Sequence, residues 1–279
     1  VDARGYNVPF HYQKKLANKQ EFNIRSYYSS ALNESLGDRQ ILNTYDIDFD
    51  FRMPLGERHT VTMGGGFRTT SSELSLLLST DRNYLYSVFI QDKIILIENK
   101  LVLTLGSKYE HYSLTGSGLQ PSARMAWTPN DKQTLWLAYS RALRTPSLTD
   151  NSIQTGAIPF TNLFLINGSE DLDSETVDAF EIGYRQQFSE FLSLDASIFY
   201  NVYKDVIAFT GIPEAFTENV GTGNAYGFEV AAVVDVSPKW RLQATYTFTK
   251  LDLDFGDTIG FLPTPDRPLV SYDETSTSP

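Results

Sequence analysis

The side chains best suited to holding a small molecule lie in one long polar segment, from Thr145 to Ser174. Phe160, Asn162 and Phe164 are in this segment, and Arg144 directly precedes it. Aromatic faces and guanidinium groups attract aromatic or anionic ligands. The sequence therefore predicts ligand contacts at Arg144, Phe160, Asn162 and Phe164. The alternative is that the aromatic side chains pack the segment onto itself or lie at an outer aromatic girdle.

The rest of the chain contains no recognisable catalytic or metal-binding motif. The three histidines, His11, His59 and His111, are far apart in the sequence, and no cysteine is present to supply a thiolate or a disulfide. We find no G-x-S-x-G motif, no P-loop and no dinucleotide-binding pattern. The sequence thus predicts no catalytic residue, no metal site and no cofactor, and the protein is not expected to be an enzyme.

Three carboxylates, Asp46, Asp48 and Asp50, alternate with apolar residues. Alternate residues of a strand share a face and lie about 7 Å apart, so the three carboxylates form a row. Such a row is a candidate cation site, but pairing with Lys or Arg of neighbouring strands is the favoured interpretation. The intervening residues, which form the opposite face, are Tyr45, Ile47, Phe49 and Phe51.

The same two-residue alternation returns in segment after segment, for example from Trp240 to Phe248. Soluble strands usually have about five or six residues, whereas many of these segments run about ten or more. That is the length a tilted strand needs to cross a hydrocarbon core. An apolar face meeting lipid and a polar face meeting a wet or plugged lumen explain both the length and the alternation.

Short, turn-rich connections alternate strictly with long polar ones. Counting between them gives about twelve strands. The long connections are expected near residues 31–38, 70–82, 113–119, 146–174, 206–222 and 254–265. One-sided loop lengths are typical of outer-membrane barrels. The predicted fold class is therefore all-β: part of an antiparallel, up-and-down transmembrane β-barrel.

Two local features refine this prediction. Aromatic residues next to short turns are expected to form a girdle at the headgroups; they are Trp127, Trp136, Phe191 and Trp240. Gly64, Gly65 and Gly66 lie within one strand, where close backbone approach or barrel curvature explains them better than phosphate binding. Phe199 is an exception to the alternation, because it lies on the polar face of its strand.

Composition agrees with a β-barrel and excludes other classes. The mean hydropathy is only -0.26, as expected when half of each strand is polar. No run of apolar residues approaches the length of a membrane-spanning helix. The net charge of -11 argues against nucleic acid as a partner, since phosphate binding requires a basic surface.

Three ordered stretches resemble the barrel of TonB-dependent outer-membrane receptors. The first runs from Gln91-Asp92-Lys93 to Pro121-Ser122-Ala123-Arg124. The second, Leu135–Leu148, reads LWLAYSRALRTPSL. The third, Asp171–Arg185, reads DLDSETVDAFEIGYR and is followed by YGFEV at Tyr226–Val230. The ordered set resembles the family's LxxSYSRxFRxPS, NPxLKPE-like, xYExGxR and YGxE segments.

The resemblance implies an outer-membrane receptor of a Gram-negative bacterium for energy-coupled uptake of a nutrient, with a ferric siderophore as the expected ligand. Its partners would be the lipid bilayer, the small-molecule ligand and a TonB-type energy-coupling protein acting through a plug domain. Asp173-Ser174 departs from the family's usual Lys-Pro. Residues 1–279 are expected to form part of one β-barrel domain, without the plug and the final strands.

Two other functions remain open at the level of the sequence. A passive outer-membrane porin predicts an open lumen without a plug. A soluble all-β binding protein or a β-rich carbohydrate enzyme predicts a dry core in place of a polar interior face.

Overall fold

Alternating polar and apolar residues form one long, continuous antiparallel sheet. The computed structural model describes residues 2–35, 38–74, 79–147, 150–151, 154–155, 165–211 and 214–256. Among these the strands are β1 (Asp2–Lys15), β2 (Glu21–Ser35), β3 (Asp38–Leu55), β4 (His59–Leu74), β5 (Ser79–Ile97), β6 (Leu101–Tyr112), β7 (Gly116–Asn130), β8 (Gln133–Arg144), β9 (Gln154–Thr155), β10 (Leu165–Asn167), β11 (Glu175–Ser189), β12 (Leu192–Thr210), β13 (Glu214–Ser237) and β14 (Trp240–Asp254).

The strands pair in an up-and-down order. β1 to β8 follow one another, β11 pairs with β8, and β12, β13 and β14 continue the sheet. Apart from the short β9 and β10, the twelve long strands correspond to the strands predicted from the sequence. Within the described residues, β1 pairs only with β2, and β14 only with β13, so each has one unpaired edge. Among those residues no helix is long and apolar enough to cross a membrane.

The two ends of the sheet differ. Short turns at 16–20, 56–58, 98–100, 131–132, 190–191 and 238–239 lie at one end, which we call the turn side. The opposite end, the loop side, carries the connection between β8 and β11. At this end the strands are longer than expected: most of 31–38, 70–82 and 206–222 is strand, not loop. β13 alone has 24 residues, about twice the length needed to cross a bilayer.

The two faces of the sheet separate as predicted. On β3, Phe49 remains 49% exposed on the apolar face, whereas Asp46 on the polar face is only 6% exposed. The Asp46 carboxylate accepts a hydrogen bond from Arg68 Nε at 2.6 Å. Asp48 and Asp50 lie 3.9 and 3.6 Å from the Arg25 guanidinium. The expected pairing with neighbouring arginines is therefore confirmed.

The glycine run in β4 permits close packing. A Cβ at Gly64 would lie 2.3 Å from the Phe49 carbonyl oxygen and 2.7 Å from the Phe89 ring, and one at Gly65 would lie 3.4 Å from the Phe49 ring. Side chains larger than hydrogen at these two positions would push the neighbouring strands apart. Close approach thus explains the run, as the sequence indicated.

One girdle assignment is wrong. Trp127 and Trp240 are 45% and 67% exposed, consistent with the predicted girdle. Trp136, in contrast, lies on the polar face, where it is the cross-strand partner of Gly183. Its indole Nε1 donates to Glu181 at 2.5 Å. Because residue 136 is one position out of phase with Leu135 and Leu137, the strand's alternation points it away from lipid.

Candidate functional site

The connection between β8 and β11 folds back over the loop side of the sheet. Its short strand β10 pairs in parallel with the start of β13, so that Leu165 is opposite Glu214 and Asn167 opposite Phe216. β9 adds to the free side of β10. Backbone hydrogen bonds therefore attach part of this long connection to a hairpin three strands away from β8.

Side chains fasten both ends of the connection to β13. Thr217 Oγ1 donates to the Asp150 carbonyl oxygen at 2.7 Å. Asn219 accepts from the Asp173 amide at 2.8 Å and donates to the Asp173 carbonyl at 3.0 Å and the Asp205 carbonyl at 2.7 Å. Asn219 thus acts as a clamp between the end of the connection and the β12–β13 hairpin.

The fastened region is among the most buried parts of the described chain. Leu172 and Ala215 are each 3% exposed, and Thr217 is 1% exposed. Few residues elsewhere are as buried, because the sheet exposes both of its faces. Burial makes each polar contact here costly to lose, since an unpaired buried group loses its water without replacement. The described parts of the connection are therefore packed against the loop side of the sheet.

Hydrogen bonds between Ser147 and Asp150 lie at the start of the connection. The Asp150 carboxylate accepts from the Ser147 amide at 2.8 Å and from the Ser147 hydroxyl at 2.9 Å. At the other end, the hydroxyls of Thr115 and Ser174 lie 2.8 Å apart, which ties the connection to the β6–β7 turn. Contacts to both the β6–β7 turn and the β12–β13 hairpin hold the ends of the connection at the loop side of the sheet.

Of the four predicted ligand residues, the structure describes Arg144. Its guanidinium pairs with the Glu175 carboxylate, and Glu175 Oε1 also accepts the Ile207 amide at 2.7 Å. The Arg144 side chain is nevertheless 61% exposed, so a face of the guanidinium remains open to solvent. Phe160, Asn162 and Phe164 lie outside the described residues. Ligand contact by these four residues stays a prediction.

The acidic row on β3 does not form a cation site. Its carboxylates are directed at Arg25, Arg68 and Asn23. Among the residues that the structure describes, no group of three or more His, Asp or Glu side chains is arranged to hold a metal ion.

Comparisons with known proteins agree with this architecture. The model of the TonB-dependent receptor-like β-barrel matches residues 2–273. The chain belongs to this family.

Individual proteins also resemble the chain over most of its length. The iron-regulated outer membrane virulence protein of Vibrio cholerae serotype O1 is 23% identical over 236 residues, which are 78% of this chain and 35% of that protein. The siderophore receptor PirA from Pseudomonas aeruginosa superposes with a TM-score of 0.78 at 19% identity, covering 89% of this chain and 50% of PirA. The FrpB iron transporter from Neisseria meningitidis gives 0.73 at 15% identity, covering 89% and 43%. The chain thus spans half or less of these relatives, and the likeness shows a shared barrel fold.

The TonB-dependent receptor motifs occupy architectural positions in the sheet. Arg141 binds Asp178 through two hydrogen bonds of 2.9 and 2.8 Å, and Arg144 pairs with Glu175. Both pairs join the SRALR segment to the strand that carries the next motif. The two arginines of the SRALR segment thus have a structural role, because each pairs with a carboxylate of β11.

The sequence alone did not identify Thr217 and Asn219, the two β13 residues that fasten the connection. Both lie in a stretch that was expected to be loop, and their partners are 67 and 46 residues away. Neither residue belongs to a pattern that reports a long-range contact. Only the folding of the β8–β11 connection over β13 brings the partners together.

Proposed function

We propose that this chain forms part of an outer-membrane receptor of a Gram-negative bacterium that takes up a ferric chelate, a ferric siderophore above all, by energy-coupled transport. The observation that carries the proposal is the packed β8–β11 connection, which Thr217 and Asn219 fasten over one end of a barrel-type sheet. Rigid strands that carry anchored loops are the usual arrangement of a binding surface.

The ligand chemistry follows from the residues on and beside this connection. Arg144 offers an exposed cation at its base. Phe160 and Phe164 offer aromatic faces and Asn162 a hydrogen-bonding amide. Together these groups suit an anionic, aromatic chelate. The proposal is supported by the relatives, which include a siderophore receptor and an iron transporter.

Transport would need a partner beyond the ligand. The polar face carries fixed ion pairs, such as Arg68 with Asp46, that would line the lumen wall. In the proposed receptor a plug domain fills this lumen, and a TonB-type energy-coupling protein acts on the plug. The barrel strands hold the loops in place and do not themselves move.

The test removes the proposed ligand surface in two ways, once together with β10 and once with β10 kept. In the full receptor, deletion of Pro159–Asn167 is expected to abolish high-affinity ligand uptake while the barrel stays folded and exposed on the cell surface. Replacing residues 159–164 by a Gly/Ser linker of equal length, which keeps β10, is expected to have the same effect. The measurement is whole-cell binding and uptake of labelled ferric siderophores and of cobalamin.

The outcomes are distinct. If both variants bind the ligand with the affinity of the parent, the β8–β11 connection is not part of the binding site. Failure of every nutrient in the parent receptor, together with steady energy-independent flux of small solutes, would replace the receptor proposal by a passive porin.

A further inference from the structure

The apolar face of the sheet has an unusual polar cluster at the loop side of β8 and β11. Asp178 is 8% exposed there. Its carboxylate accepts two hydrogen bonds from Arg141 and a third, of 2.9 Å, from the Tyr139 hydroxyl. Tyr139 also contacts Phe180 on the same face, with ring centroids 5.1 Å apart and the ring planes tilted by 37°. A buried carboxylate on a lipid-facing surface is costly unless it is fully paired, so the cluster holds Arg141 in one orientation.

The height of this cluster matches the lipid headgroups. On the same face of β8 and β11, Gln133 donates to Gln186 at 2.8 Å near the turn side. From Gln133 to Arg141 is eight residues, or about 26 Å along a strand and roughly 20 Å across the membrane at the usual barrel tilt. The intervening outward residues of β8 are Leu135, Leu137 and Tyr139. The two polar pairs therefore bracket a span close to the apolar band of a barrel, about 25 Å tall.

A groove on the apolar face adjoins this cluster on its turn side. It is an open groove with a volume of about 510 Å³, and the outward-facing residues along it include Leu103, Ala123, Met125, Leu137, Phe180 and Ile198. The small Ala123 side chain lies among larger neighbours and leaves the space open. An apolar channel of this kind fits a hydrocarbon chain.

The charged side chains at the loop-side end of the groove favour the binding of an anion. Lys204 is opposite Thr176, two residues along β11 from Asp178, and is close enough to act on Asp178 electrostatically. Within the described residues Lys204 has no ion-pair partner. Arg141 and Lys204 against Asp178 leave one net positive charge at headgroup height.

We propose that this groove and its cationic end form a binding site for one phosphate-bearing lipid of the leaflet on the loop side. One acyl chain occupies the groove beside Ala123. The phosphate lies against Lys204 and the free edge of the Arg141 guanidinium. The site is independent of the nutrient-binding loops.

The experiment compares lipids of equal chain length bound to the full receptor in nonionic detergent, by native mass spectrometry. Dioleoyl phosphatidic acid is the anionic probe and dioleoyl phosphatidylcholine the zwitterionic one. We expect the parent to prefer phosphatidic acid by roughly five- to tenfold, given the usual contribution of cations near a membrane surface. Lys204→Gln combined with Arg141→Gln and Asp178→Asn is expected to reduce the preference to about one; the paired change avoids leaving Asp178 as a lone buried charge.

Two further variants separate the parts of the site. Ala123→Phe fills the groove without altering charge, so the retention of both lipids should fall. Arg4→Gln is the matched control, because Arg4 lies on the apolar face at the loop side of β1 and pairs with Asp2, far from the groove. It should leave both lipids unaffected.

A preference that survives the triple change, or that Arg4→Gln lowers equally, would overturn the proposal and leave the cluster as a structural ion pair only. If the triple variant does not fold, Lys204→Gln alone decides. That change removes no hydrogen-bond partner, and an unchanged preference in it would equally overturn the site.

Discussion

Asp48 and Phe49 are adjacent in β3, yet their side chains meet opposite environments. Phe49 lies on the apolar face and is 49% exposed. In the full receptor Phe49→Arg near mid-bilayer should cost about 2–4 kcal/mol of folding free energy, because an arginine would face hydrocarbon. Chemical unfolding in detergent or lipid vesicles, followed by the heat-modifiable gel shift, measures this cost.

Asp48→Arg is the matched change on the polar face. It replaces an exposed carboxylate 3.9 Å from Arg25 by a second cation, and exposed pairs are worth only about 0–1 kcal/mol. The effect should therefore be mild. If Asp48→Arg proves more damaging than Phe49→Arg, the two faces have been assigned the wrong way round.

Trp136 and Gly183 show how the polar face packs. A Cβ at Gly183 would lie 1.9 Å from Trp136 Cζ2, so Gly183→Val must displace the indole and break its hydrogen bond to Glu181. We expect a loss of about 1–3 kcal/mol, typical of overpacking. Unfolding free energies and the tryptophan emission maximum report the change.

The control is a double-mutant cycle. Trp136→Ala removes the clash, so most of the cost of Gly183→Val should disappear in the double variant. Additive costs would show that the indole is not what the added side chain meets.

At the scale of elements, the loop-side hairpins extend the sheet beyond the bilayer and receive the β8–β11 connection. Asn219 makes three hydrogen bonds that hold the end of this connection. Asn219→Ala should leave these groups unpaired and open the connection locally at a cost of about 1–3 kcal/mol. Proteolytic cleavage of the connection on intact cells should accelerate roughly tenfold, while the melting temperature of the barrel changes little.

Asn33→Ala provides the comparison, because Asn33 is an exposed asparagine on β2 away from the β8–β11 connection. Its cleavage rate should equal that of the parent. An equal rate in Asn219→Ala would mean that the other contacts, made by β10, Thr217 and the Thr115–Ser174 pair, hold the connection without Asn219.

At the scale of the whole molecule, the sheet has two unpaired edges within the described residues, on β1 and β14. Unpaired edges of long, flat, partly apolar strands template aggregation. Expression of residues 1–279 alone should give inclusion bodies that do not refold into a monodisperse, heat-modifiable species. Size-exclusion chromatography and gel shift in detergent check this; a stable monomeric barrel would contradict it.

The twelve long strands, their order and their turn-side connections could be predicted from the sequence. Alternation has a period of two on every strand, and a strand pairs with its neighbour when a tight turn joins them. The face of Asp46 followed from the same rule, and pairing with a Lys or Arg of a neighbouring strand was the favoured interpretation, but only the structure gave Arg68 as the partner. Phe199 on the polar face likewise needed only its parity within β12.

Only the tertiary structure decided how far the strands extend at the loop side and which of them the β8–β11 connection contacts. A segment of mixed polarity that contains Gly and Pro, such as 206–222, suits a loop and a long hairpin equally well, so its sequence does not choose between them. The partners of Thr217 and Asn219 are fixed by one connection crossing three strands, which no local pattern encodes. Proximity to a turn predicts Trp136 at the girdle, whereas its phase within β8 directs it to the polar face opposite Gly183. Local chemistry determined the strands of this protein, and long-range packing determined the candidate site.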